Sequence, residues 1–230
     1  MKDVAIVIPA LDEADALPGV LAAIPRERVR EIVVVDNGSR DATAAIALAA
    51  GATVVHEPRR GYGAACLRGI DHLRGSPPAI VLFMDADGSD DPAEMARLIE
   101  PIDRDRAELV VGSRVLGPHE PGALSPLQRF GNALAVRLIR LLFGVRFSDL
   151  GPFRAIRWPA LERLAMSDRD YGWTVEMQAR AARLGLAVIE VPVSCRRRRG
   201  GRSKIAGTMR GAWGAGRKIL FTIAKVRLGG

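Results

Sequence analysis

The chain is patterned in short apolar runs that alternate with longer amphipathic stretches. Five runs are rich in β-branched residues: "VAIVIP" (4–9), "EIVVVD" (31–36), "ATVVHE" (52–57), "AIVLFMD" (79–85) and "ELVVGS" (108–113). Helical spacing fills the gaps between them, at 13–24, 41–50, 63–74 and 92–103. Continuous apolar strands separated by helices predict an α/β fold, with a mostly parallel central sheet covered by helices on both faces. Local signals agree. Asp41 or Ser39 can cap the second helix, Gly51 can end it, and Pro92 suits a first helical turn.

The pattern changes near residue 115. A Gly/Pro-rich loop (117–126) leads into a long amphipathic helix (127–143). Then come "FSDLGPFRAI", a helix near 174–184, a strand over 187–195 and a basic segment. There is no internal repeat. The spacing predicts one domain over 1–208, divided at 115, followed by a basic amphipathic helix over 209–230.

With 230 residues and 48% hydrophobic content, the chain can build one sizeable core. Cys66 and Cys195 share no metal-like spacing and read as reduced thiols, which points to the cytoplasm. No apolar run reaches 18 residues, so neither a signal peptide nor a membrane-spanning helix is expected. The net charge of +8 is concentrated at one end: eleven Lys/Arg follow Glu190, the last acid, which leaves −3 for the first 190 residues. A basic tail suits phosphate, a membrane surface or nucleic acid. Nucleic acid is the poorest fit, because no aromatics interleave with the basic cluster at 196–204 as stacking platforms.

Candidate chemistry gathers where strands end. In a doubly wound sheet, ligands bind outside the carboxyl ends of the strands. Asp36 and Asp85 are each the last residue of a run. Asp85-Ala86-Asp87 sets two carboxylates on one side of a turn, a hard-oxygen pair suited to Mg²⁺ or Mn²⁺ that leaves coordination positions for substrate phosphates. Asp90 and Asp91 read instead as turn and cap residues. "RGYGAACLRG" (60–69) lacks the third glycine of a dinucleotide fingerprint and follows the third strand, not the first. No G-x-x-x-x-G-K-[ST] loop occurs.

Eight motifs, "VIPALDE", "VVVDNGSRDAT", "RRGYGAACLRGI", "MDADGSDDP", "VGSR", "SDLGPFRAI", "YGWTVEMQARA" and "RRRRGGRSKI", stand in an order that resembles family 2 glycosyltransferases. The branch they most resemble is the dolichyl- and polyprenyl-phosphate sugar synthases, over about residues 4 to 208. The resemblance implies a GT-A fold, a nucleotide-diphosphate sugar donor of the GDP-mannose or UDP-glucose type, a divalent metal (Mg²⁺ or Mn²⁺) and inversion at the anomeric carbon. Residues 1–115 would bind the donor and 116–208 the acceptor. Pro9, Ala10 and Glu13 would line the nucleotide pocket, and Asp36 would contact the base or ribose region. Asp85, Ala86 and Asp87 match the metal- and donor-binding D-x-D. Arg114 would meet phosphate. Arg198, Ser203 and Lys204 match an R-x-x-G-x-S-K motif near the donor diphosphate and the acceptor phosphate. Three features depart from the pattern: Asn37 replaces a second aspartate, Pro152 replaces a glycine, and no C-terminal hydrophobic spans are present.

The acceptor separates two readings. A hydroxyl needs a general base within hydrogen-bond reach. A phosphate monoester is already ionised near neutral pH and needs only cations to hold it. Cations abound at Arg129, Arg137, Arg140 and Arg196 to Arg199; the acidic candidates for a base are Asp149 and Glu176. The preferred reading is a polyprenyl-phosphate acceptor, with Arg129, Arg198 and Ser203 on its phosphate. Asp87, Arg114, Glu176 and Arg198 form the catalytic set, Glu176 on the acceptor side. The alternative is a soluble hydroxyl acceptor. Two stretches bear on a lipid: "RFGNALAVRLIRLLFG", and the last helix, where Trp213, Ile219, Leu220 and Ile223 share one face and Arg210, Arg217, Lys218 and Lys225 the other. Such a helix can lie in a membrane interface, which predicts a peripheral protein on the inner face of the cell membrane. Packing on the core or within a homo-oligomer is its competitor.

Overall fold

In a computed structural model, residues 3–198 and 209–229 are described, the side chains of 209–215 excepted. The chain runs β1 (Val4–Ala10), α1 (Leu17–Ala23), β2 (Val29–Asp36), α2 (Thr43–Ala49), β3 (Thr53–His56), α3 (Tyr62–Leu73), β4 (Ile80–Phe83), α4 (Met95–Asp103) and β5 (Leu109–Ser113). It continues with α5 (Pro126–Phe143), β6 (Arg154–Arg157), α6 (Trp158–Leu164), α7 (Trp173–Arg183), β7 (Val188–Pro192) and α8 (Met209–Arg227). Short 3-10 turns lie at Arg26–Arg28 and Pro92–Glu94.

One seven-stranded sheet has the order β3-β2-β1-β4-β6-β5-β7. β6 runs antiparallel to both β4 and β5, and every other pairing is parallel. The mostly parallel sheet expected from the apolar runs is therefore present, with "RAIR" inserted as β6 between β4 and β5. Two apolar residues between two arginines carry too little pattern to announce a strand, and the pairing partners are more than 40 residues away. The chain leaves β1 towards β2 on one side and returns as β4 on the other. The crevice between their carboxyl ends is the switch point where ligands bind in such sheets.

β1 shows why the strands read as unbroken apolar runs. Ile6 and Ile8 face one layer with Leu17, Leu21, Leu98 and Ile102, whereas Ala5 and Val7 face the other with Ala65, Ile70 and Leu73. Both faces are buried because helices cover both. Each aliphatic side chain so buried contributes about 1.5–3 kcal/mol. α3 lies close on the sheet: a Cβ at Gly69 would meet Val7 Cγ1 at 2.5 Å.

The helix signals are visible in the side chains. Ser125 and Gln128 form a capping box at the start of α5, Pro126 opens the helix, and Gly144 at φ 75° closes it. Asp41, not Ser39, accepts from Thr43 N (3.0 Å) at the start of α2. Asp91 accepts from Ala93 N (3.2 Å), as expected of a cap.

A third cluster joins α5, α7 and α8 through Ala135, Ile139, Phe147, Leu150, Val175 and Ile223. Ile223, Val226 and Thr222 are buried, Ile219 packs beside them, and Leu220 and Phe221 are exposed. The face predicted to enter a membrane is thus divided: its isoleucines dock on the protein, because α5 and α7 offer a continuous apolar surface beside them. Trp213 lies outside the described side chains. Lys218 Nζ pairs with Asp168 (3.0 Å) and Arg183 Nη1 donates to Val226 O (2.8 Å), which ties α8 to the α7 side. Among the described residues, no helix is long and apolar enough to cross a membrane.

Candidate active site

The carboxyl ends of β1, β2 and β4 converge on one crevice. At β2, the Asp36 carboxylate accepts from Ser39 N (3.0 Å) and meets His56 Nδ1 (3.2 Å). Asn37 donates to Glu57 O (2.9 Å) and Arg59 O (2.7 Å) and accepts from Gly61 N (2.9 Å). The amide explains the departure at this position. A carboxylate could not donate to two carbonyls, so Asn37 serves the 57–61 loop and not a ligand. Pro9 and Ala10 end β1, and Ala10 O accepts from Asn37 N (2.9 Å), which joins the two strand ends. Glu13 is buried, its amide held by Thr43 Oγ1 (2.9 Å).

Past β4, Tyr62 Oη donates to Asp85 Oδ1 (3.0 Å), and Asp85 N donates to Asp90 Oδ2 (3.1 Å). Asp90 is therefore a buried brace for Asp85, a role more specific than the generic turn residue expected. Burial, and then the neighbouring charge of Asp87, push the Asp85 pKa up to about 7. Asp87 Oδ1 accepts from Ser89 N (2.9 Å). Its Oδ2 accepts from Arg198 Nε (2.9 Å) and Nη2 (2.8 Å), and Arg198 Nη1 reaches Glu13 (3.2 Å). Arg198, 111 residues from Asp87, thus offsets part of the charge on Asp87 and Glu13. It arrives there because the segment after β7 crosses the β4 loop: Val193 N donates to Ser113 O (3.1 Å) and Arg196 N to Ser89 O (2.9 Å). Ser203 and Lys204 lie outside the described residues.

The donor set fits a hard divalent cation. Asp85 and Asp87 present carboxylate oxygens just beyond the strand end, and burial first, then the charge of Asp87, raises the Asp85 pKa, a cost that a bound cation would relieve. No group of three potential ligands converges among the described residues. That suits an ion held by one or two carboxylates together with substrate phosphates.

Arg114, just after β5, closes a second arrangement. Its backbone N, Nε and Nη2 donate to Asp149 at 2.9, 2.8 and 2.8 Å. The Asp149 side chain is fully buried, and Arg114 is 20% exposed. Burial alone would raise the Asp149 pKa, but the bonds and charge of Arg114 outweigh it and hold the carboxyl below its usual range. The pairing also raises the Arg114 pKa. "SDLG" is clasped from three elements: Asn132 of α5 accepts from Leu150 N (2.8 Å), Glu190 of β7 accepts from Ser148 N (2.9 Å), and Gln178 of α7 donates to Asp149 O (2.9 Å). At the neighbouring departure, Pro152 follows Gly151, where a Cβ would meet Gly112 O at 2.3 Å. The close approach is made by Gly151, so the glycine before Phe153 is dispensable.

A cavity of about 380 Å³ opens beside this pair, lined by Arg114, His119, Arg129, Asn132, Arg137 and Asp149 among others. Arg140 is exposed on α5 and is not among the lining residues.

Glu176, expected on the acceptor side, stands in the first turn of α7. It is buried and accepts from Ser167 N (3.1 Å), Ser167 Oγ (2.8 Å), Asp168 N (2.8 Å) and Arg180 Nε (3.0 Å). With both oxygens occupied, the carboxylate clasps the 167–168 turn and has no role as a free base. That turn presses on α3, where a Cβ at Gly63 would meet Asp168 O at 2.2 Å and one at Gly61 would meet Arg169 O at 2.1 Å. The two glycines of "RGYG" exist for this contact, and it sets Tyr62 against Asp85. Tyr62 and Glu190 were missed by sequence reasoning, and of the two only Tyr62 carried a signal, an aromatic residue between two glycines.

Comparison with known proteins agrees with this geometry. An uncharacterized glycosyltransferase of Mycobacterium tuberculosis (strain ATCC 25618 / H37Rv) is 40% identical over 211 residues, covering 91% of this chain and 92% of the relative. The polyprenol monophosphomannose synthase of Mycolicibacterium smegmatis is 32% identical, covering 88% and 81%. Among solved structures, the glucosyl-3-phosphoglycerate synthase of Mycobacterium tuberculosis in complex with Mn²⁺, UDP-glucose and phosphoglyceric acid superposes with a TM-score of 0.78 at 24% identity, covering 98% of this chain and 80% of that one. The family model for glycosyl transferase family 2 matches residues 5–165, from β1 through α6. The chain belongs to that family and is a glycosyltransferase of the GT-A fold.

Proposed function

We propose that this enzyme moves a hexose from a nucleoside diphosphate sugar onto the phosphate of a polyprenyl phosphate, with inversion and with Mg²⁺ or Mn²⁺ held by Asp85 and Asp87. One observation carries the choice of acceptor. The cavity beside the site is lined by Arg114, Arg129 and Arg137, and its one carboxylate, Asp149, is closed off by the Arg114 fork. A hydroxyl acceptor would find no free carboxylate base there, only the imidazole of His119, whereas a phosphate monoester brings its own nucleophilic oxygen and needs the cations that three arginines supply. The similarity to a polyprenol monophosphomannose synthase supports the same reading.

The bound cation would neutralise charge on the departing diphosphate. The chain's own residues divide the remaining work. Pro9, Ala10, Glu13 and Asp36 border the crevice for the nucleoside, and Ala86 lies between the two carboxylates. Arg198 adds a guanidinium beside Asp87. Arg114 offers Nη1 while Asp149 fixes the orientation of its fork. Arg129 and Arg137 hold the acceptor phosphate from α5, with Ser203 and Lys204 assigned to phosphate by the motif alone. A phosphate oxygen of the acceptor forms the new bond to the anomeric carbon. The old bond to the diphosphate breaks, and its electron pair leaves with the nucleoside diphosphate.

The test is a donor and acceptor screen. Labelled GDP-mannose and UDP-glucose are offered with Mn²⁺, with and without polyprenyl phosphate. Label should enter the organic phase only when the lipid phosphate is present. Label that enters a water-soluble hydroxyl acceptor, and none in lipid, would overturn the reading.

A further inference from the structure

α5 turns an apolar edge to solvent. Leu127, Phe130, Leu134 and Leu141 are 51%, 66%, 40% and 79% exposed. Their spacing of three, four and seven keeps all four on one face of the helix. A soluble monomer rarely leaves such a row uncovered. On the opposite face Ala135 and Ile139 are buried in the core, so α5 is apolar on two sides for two reasons.

The segment that carries this edge has charge of one sign. Residues 121–148 contain four arginines and no acid. Arg129, Arg137 and Arg140 are exposed along the flank between the apolar row and the cavity mouth, which Arg129 and Arg137 also line. Guanidinium forks suit phosphate oxygens. From these features we infer that α5 is a docking face for an anionic phospholipid surface, with its apolar edge among the acyl chains and its arginines at the headgroups. A second copy of the chain fits less well. A two-fold contact through this face would bring the same arginines together with no acid on the helix to offset them.

Resting on the proposed function, the orientation has a consequence. The cavity opens beside α5, so a bilayer on this face would hold a lipid-borne phosphate at the depth of Arg129 and Arg137. α5 then does the work that the sequence pattern assigned to the last helix.

The test is flotation of the full chain with vesicles of phosphatidylglycerol and phosphatidylcholine, or of phosphatidylcholine alone. The wild type should bind the anionic vesicles, and more weakly at about 0.5 M than at about 0.1 M salt. The F130S/L134S/L141S variant should bind at least about tenfold less, and R140Q about fivefold less. Both variants should keep the wild-type rate on a short, water-soluble polyprenyl phosphate. No binding to anionic vesicles, or equal binding by the triple variant, would overturn the inference. A wild-type dimer that the triple variant converts to monomer would assign the face to self-association and also overturn it. Vesicle binding that follows these expectations without any transfer to a soluble prenyl phosphate would uphold the docking face and sink the proposed acceptor.

Discussion

Asp149→Asn decides between a general base and a locked partner. The two readings expect opposite results. In the structure the carboxylate is fully buried and takes three bonds from Arg114. Asparagine preserves the shape but turns an NH₂ towards a guanidinium that needs acceptors. Breaking a buried ion pair from one side costs about 3–5 kcal/mol. Arg114 is 20% exposed, so water can compensate in part, and about 3 kcal/mol is the reasonable figure. For a chain of this length that is a loss of about 6–12 °C in Tm, read by calorimetry at pH 7. The pH dependence follows from the lowered Asp149 pKa. A carboxyl whose folded pKa lies below its unfolded value of about 3.9 stabilises above that value and loses the contribution as pH falls through the folded pKa. The gap between wild type and variant should therefore be constant from about pH 5 to 8 and close below about pH 4. Transfer should slow through a loosened Arg114, with an unchanged rate profile above about pH 5. A variant that melts within about 2 °C of wild type, yet loses transfer together with the acidic limb of its rate profile, would refute the argument and make Asp149 the base.

In EDTA, the melting temperature should fall as pH rises from about 4 to 7, because Asp85 has a folded pKa near 7 and must lose its proton in a buried, negative place. Mn²⁺ should abolish that fall, and a flat profile in EDTA would contradict the burial of Asp85 beside Asp87. Glu176→Ala should cost about 3 kcal/mol, since it frees the buried donors of the 167–168 turn, and should weaken Mn²⁺ binding measured by electron paramagnetic resonance. Unchanged Mn²⁺ affinity would show that the turn does not govern Tyr62. Gly63→Ala should destabilise by about 1–3 kcal/mol, because the new Cβ meets backbone at 2.2 Å. Gly131→Ala in α5, with nothing within 4 Å, should stabilise by about 0.5–1 kcal/mol in the same thermal assay.

Much of this protein is local and can be read along the chain. β1, β4, β5 and the second half of β2 appear as apolar runs because helices bury both of their faces, whereas the edge strand β3 is only partly buried and is read from its β-branched residues. Asp36, Asp85 and Asp87 are conspicuous because charge directly behind such a run has to serve something. Capping residues such as Ser125 and Asp91 act over three positions and are equally legible. What the pattern could not show depends on partners far away in sequence. β6 is a strand only because β4 and β5 leave a gap that four residues can fill. Asp149 resembles a base until Arg114, 35 residues earlier, closes on it. Glu176 resembles an acceptor-side acid until the 167–168 turn takes both of its oxygens. Asn37 looks like a lost carboxylate until its amide is seen bridging the 57–61 loop. α8 has the periodicity of a membrane helix, but periodicity names only the face to be buried. Whether lipid or protein buries it is settled by the neighbouring surface, and here α5 and α7 bury Ile223 while α5 keeps its own apolar edge in the open.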